Sequence, residues 1–116
     1  MSYDTCLTAA GATVLAFEMF GDYQGDWLAL TPQGFYAGSY GSCSGCDWQE
    51  GEHVDSKIVN DDYDARALDI DTGIGKKLLE TPPMDLAAVL IYIDKSIGIE
   101  ADKAIVWANA VWKAKV

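Results

Sequence analysis

At 116 residues the chain has the length of one domain, and with half its residues apolar and 11% aromatic it can build a core, which excludes intrinsic disorder on composition. Eighteen acids against eight bases give a formal net charge of −10. That balance disfavours direct binding to nucleic acid or to an anionic membrane, both of which need clustered Lys and Arg, and would attract a basic partner or metal cations.

In chain order, residues 2–10 read as a short helix ended by Gly11, with Cys6, Leu7 and Ala10 on one side. From Ala12 the texture turns to β. Leu15, Phe17 and Met19 alternate with Ala16, Glu18 and Phe20, the period of a half-buried strand. Gly21 to Gly25 is a turn, Asp26 to Thr31 a second strand, Pro32-Gln33-Gly34 a second turn, and Phe35 to Tyr40 a third strand. Connections this short join antiparallel neighbours, so a three-stranded meander is expected. Residues 41–73 read as loops, with one short helix around Tyr63–Leu68 and another over Gly73–Glu80.

The last third reads as two helices. Thr81 suits an N-cap and Pro82 the first helical position, where a missing N–H costs nothing. Met84 to Ile97 is apolar nearly all round, the pattern of a buried helix, and Gly98 fits a left-handed C-cap followed by apolar Ile99. Glu100 to Lys115 carries a stripe at Ala101, Ala104, Ile105, Ala108, Val111 and Trp112, with acids in its first turn and most lysines in its last. Trp107 and Trp112 stand about 140° apart around that helix, so one is expected in the core and the other nearer the surface. The sum is an α+β fold in one domain over residues 1–116: a three-stranded antiparallel meander packed by C-terminal helices.

Cysteine usage and the chain start bear on location. Three cysteines are an odd number without a dense framework, unlike a secreted disulfide scaffold. Met1-Ser2-Tyr3-Asp4 lacks the basic start of a signal peptide, and the longest apolar run, Leu86 to Ile93, is far shorter than the ~20 residues of a membrane span. A cytoplasmic protein is expected.

The third strand leads into Gly38-Ser39-Tyr40-Gly41-Ser42-Cys43-Ser44-Gly45-Cys46-Asp47. With Gly21-Asp22-Tyr23-Gln24-Gly25 before it, this segment resembles a group of small bacteriophage and prophage proteins. Their shared signature is similar to Tyr-Gly-Ser-Cys-Ser-Gly-Cys-Asp after a short β-hairpin. The resemblance covers roughly residues 14–52. It implies a phage or prophage origin, and hence the cytoplasm of a host cell, but no activity.

The Cys-x-x-Cys loop admits several chemistries. Cys43 and Cys46 could hold one zinc ion, and a closed site of four ligands would draw on His53 and Cys6. A redox pair normally opens a helix that lowers the thiol pKa, whereas Asp47, Glu50 and Glu52 here would raise it. The simplest reading is a tight glycine-rich turn whose cysteines pack as small hydrophobes. A Cys–His nucleophilic pair has no spacing to support it, and no serine elbow or phosphate-binding loop is present, so catalysis is not expected.

Most of the charge is local. Asp47, Glu50, Glu52, Asp55, Asp61, Asp62, Asp64, Asp69 and Asp71, opposed only by Lys57 and Arg66, put −7 of the net −10 into residues 41–73. A solvated surface accounts for such a run. The sharper reading is a carboxylate array imitating nucleic-acid phosphates, able to occupy the basic cleft of a host or defence protein and inhibit it. Tyr40, ahead of the array, and Trp48, within it, are candidate aromatic anchors. An EF-hand over Asp69–Glu80 fails, because its fifth, sixth and ninth positions are Gly73, Ile74 and Lys77.

Overall fold

Three adjacent strands, β1 (Ala16–Gly21), β2 (Gly25–Thr31) and β3 (Gly34–Tyr40), form an antiparallel sheet in the order β1-β2-β3. The structure is a computed structural model that describes residues 3–21, 25–40, 63–98 and 100–115, with the backbone alone at residues 3 and 63–69. Its helices are α1 (Tyr3–Ala9), α2 (Tyr63–Leu79), α3 (Leu86–Ser96) and α4 (Ala101–Lys115). The expected α+β class and meander both hold, and α1 ends before a left-handed Gly11 (φ 98°).

Alternation along the strands feeds two cores. Leu28, Leu30 and Phe35, with Phe20 of β1, face α3 and α4 and bury Val89, Ile93, Ile97, Ala104 and Ala108. The opposite face presents Trp27, Ala29, Tyr36 and Tyr40 to Leu7 of α1 and to half-buried Leu78 and Leu79 of α2. The sheet therefore lies between two helical layers, one more than the C-terminal helices alone would supply. Three cross-strand pairs set a large residue against a small one: Trp27 lies opposite Gly38, Tyr36 opposite Ala29, Leu28 opposite Ala37. The Trp27 indole occupies the space a side chain at position 38 would need, since a Cβ there would lie 2.4 Å from its ring.

α2 is one helix of 17 residues, where two short ones were expected. Gly73 and Gly75 weaken a helix locally, yet Gly75 is where α1 crosses α2. A Cβ on Gly75 would fall 2.7 Å from Ala10 Cβ and overlap the Cys6 carbonyl. Close packing, with Ile74 2% exposed beside it, outweighs the propensity cost. In the same layer the fully buried Cys6 donates its thiol hydrogen to Asp71 Oδ1 at 3.5 Å.

The start of α3 also differs. Its N-cap is Asp85, whose Oδ1 accepts from the Ala88 N–H at 2.8 Å, a bond worth about 1 kcal/mol. Thr81 and Pro82 precede the helix because Met84 is held in the sheet. Phe35 and Met84 exchange backbone bonds of 2.7 and 2.9 Å, extending the pairing past β3. Nor is α3 buried all round: Val89 and Ile93 are buried, while Ile91 is 57% exposed. At its end Ile97 turns extended (φ −92°, ψ 127°) and enters the core, and Gly98 is not left-handed. The Gly98 carbonyl instead accepts from Ala101 N–H, turning the chain directly into α4.

Both tryptophans of α4 are half-buried against one ring. Phe35 stacks on Trp112 at 5.6 Å (18° between planes) and meets Trp107 at 6.1 Å. A single ring between them explains why neither is left at the surface.

A polar tie links β2 to α3. The Tyr92 hydroxyl donates to Asp26 Oδ1 at 2.9 Å. Burial, then the bond to Asp26 and its charge, push the Tyr92 phenol well above its ordinary pKa. An unfolded chain ionises this phenol near pH ~10, before the native state does. The stabilisation is thus whole below that pH and falls as pH rises above it. Tyr92→Phe should cost about 1 kcal/mol at neutral pH and flatten the decline between about pH 9 and about pH 11. Urea melts across that range check this, and an equal alkaline decline in both proteins would refute it.

Candidate functional site

The residues singled out on charge and sulfur chemistry divide by position. Asp47, Trp48, Glu50, Glu52, Asp55, Asp61, Asp62, Cys43, Cys46 and His53 lie outside the described residues. Asp64 and Asp69 fall within α2. Asp71 is half-buried and accepts from Cys6, so this carboxylate and thiol serve the α1–α2 contact. Tyr40, 7% exposed, shares the buried cluster of Trp27 and Tyr36, where its ring is core and not a surface anchor. Among the described residues no group of three or more His, Cys, Asp or Glu is placed to hold a metal ion, and no helix is long and apolar enough to cross a membrane.

The structure brings together a different set. Among the described residues β1 is an edge strand, and α4 runs beside it, leaving an open groove of 670 Å³ between them. Phe20, Val106 and Trp107 supply its apolar side chains, with Met19 at its β1 rim, and Phe20 and Trp107 meet edge-on at 5.9 Å. Two of these side chains face solvent, Met19 at 38% and Val106 at 70% exposure. Glu18, Glu100 and Asp102 line the same groove, with Lys103 the one base among its described lining residues. A smaller hollow of 310 Å³ at the opposite end of β1 and α4 is lined by Leu15, Leu30 and Val111 among others.

Glu100 is the most committed of these carboxylates. Its Oε2 accepts from the Gly21 backbone N–H at 2.5 Å, and its Oε1 lies 3.4 Å from Lys103 Nζ. The Gly21 N–H, then Lys103, hold its carboxyl below the ordinary range. Glu18 turns back to accept from the Met19 N–H at 3.3 Å. Two alternate donors of the edge strand are thus occupied by carboxylates. The groove offers an apolar seat, negative charge and strand-type donors.

Reading the sequence for motifs missed this groove. The signals were Met19 on an alternating strand and Val106 off the apolar stripe of α4 between Lys103 and Asn109. Each is ordinary alone, and only the fold places them together.

Compared with family models, curated proteins and solved structures, the chain matches none.

Proposed function

We propose that this protein is a non-catalytic binding protein that holds a basic protein partner by its acidic surface. The observation carrying this reading is the formal charge of −10 with −7 of it in residues 41–73. A field of that sign speeds encounter with cationic surfaces and repels polyanions. Exposed Met19 and Val106, close to acidic side chains, add apolar contact area, which charge alone lacks. The resemblance of residues 14–52 to phage proteins supports a host or defence protein as the partner. A nucleic-acid-binding cleft fits best, its Lys and Arg meeting carboxylates in place of phosphates and its function inhibited as a result.

Capture from a bacterial host lysate on immobilised protein, at low and high salt, tests the reading. A basic protein should be retained at low salt and released as screening rises. Adding the soluble protein should then displace nucleic acid from the purified partner. Retention indifferent to salt, or no basic protein retained, would overturn the proposal.

A further inference from the structure

An edge strand presents alternate N–H and C=O groups to solvent and invites a further strand. On β1 the Met19 and Gly21 donors are taken by Glu18 at 3.3 Å and by Glu100. These are exposed, single side-chain bonds that an incoming main chain can replace. Beside them α4 forms the second wall of the groove, with Val106 uncovered next to Phe20 and Trp107. A cleft between an edge strand and a helix suits an extended peptide: main-chain bonds supply affinity and the pocket selects side chains.

Charge decides the occupant. Among the described lining residues there are three carboxylates and one lysine, and that lysine is paired with Glu100. An acidic segment would be repelled. A second copy of this chain would bring the same carboxylates and another −10.

We infer that the β1–α4 groove takes an extended Lys- or Arg-rich segment of the partner as a fourth strand, with an apolar side chain of that segment seated against Val106 beside Phe20 and Trp107. The inference rests on the reading of this protein as a binder of a basic partner, and it states where and how that partner is held. Carbonyls of the segment accept the Met19 and Gly21 N–H groups. Glu18 and Glu100, so released, turn to the flanking cations.

The probe is a capped heptapeptide, Lys-Leu-Lys-Val-Lys-Leu-Lys, followed by calorimetry and by the amide resonances of Met19 and Gly21. It should bind and shift both resonances. Val106→Asp, at an exposed position, should weaken binding about tenfold through loss of the apolar seat, although charge attraction alone would tighten it. Of two peptides N-methylated at alternate residues, one should lose binding and the other keep it, since only one face of an added strand pairs with β1. Undiminished binding to the Val106→Asp protein, or equal binding of both methylated peptides, overturns the groove and leaves charge-driven capture standing. No peptide binding alongside salt-sensitive capture from lysate also overturns the groove alone, and failure of both overturns both readings. A wild-type dimer that Val106→Asp dissociates, without peptide binding, would assign the groove to a second copy and overturn the inference.

Discussion

Phe35→Ala should destabilise the protein by about 3–5 kcal/mol, the cost of emptying a large aromatic site in a core. Phe35 is fully buried and occupies the junction of three elements. Its ring lies on Trp112 and against Trp107, and its backbone pairs with Met84 ahead of α3. Trimming it leaves two half-buried indoles without their common neighbour, and the backbone of β3 cannot close the gap. Domains of this size hold roughly 5–15 kcal/mol in total, so the variant should lose a large share of its stability. Urea melts followed by tryptophan emission check this, and the emission should move to the red in the native state. A loss below about 1.5 kcal/mol, typical of volume-conserving core swaps, would show that Phe35 is not the centre of that core.

Two glycines two positions apart in α2 should respond with opposite signs to the same change. A Cβ on Gly73 meets no atom within 4 Å, so Gly73→Ala should stabilise by about 0.5–1 kcal/mol through helix propensity and a less flexible unfolded chain. Gly75→Ala gains as much locally and then drives its methyl into the Cys6 carbonyl and Ala10. Backbone cannot move aside as a side-chain tip can. Overpacking of this kind costs about 1–3 kcal/mol, and separation of α1 from α2 would cost more. Denaturation midpoints of the two variants should fall on either side of the wild type. If both rise, α1 does not cross α2 at Gly75.

The meander was legible because its signals are local. Period-two alternation and the Pro32-Gln33-Gly34 turn put β2 and β3 within one residue of their observed starts. What sequence reading missed depended on partners distant in the chain. Gly73 and Gly75 look like interruptions until α1 is laid across them, and Cys6 and Asp71 meet from 65 positions apart. Thr81-Pro82 resembles a helix start until Met84 is seen paired with Phe35. Met84 to Ile97 looked buried all round because composition cannot say how many neighbours a helix has. The acidic stretch is legible as charge, but its geometry depends largely on residues outside those described. The groove arises from Glu18 and Met19 in one element and Glu100 to Trp107 in another, and no spacing rule connects them.

The Trp27–Gly38 notch has a consequence for how the sheet chooses its alignment. A slip of β2 by one residue sends every side chain to the opposite face. A sheet with one wet face resists that slip only by the apolar area it would strand. Here both faces of β2 are covered, so a slip would thrust Trp27 into the layer fitted to Leu28 and leave Leu28 in the space of an indole. A slip by two residues keeps the faces but moves Trp27 away from Gly38, the position opposite it that leaves its ring room. Odd and even misalignments are therefore rejected by different means, and a sheet of only three strands is left with one way to zip.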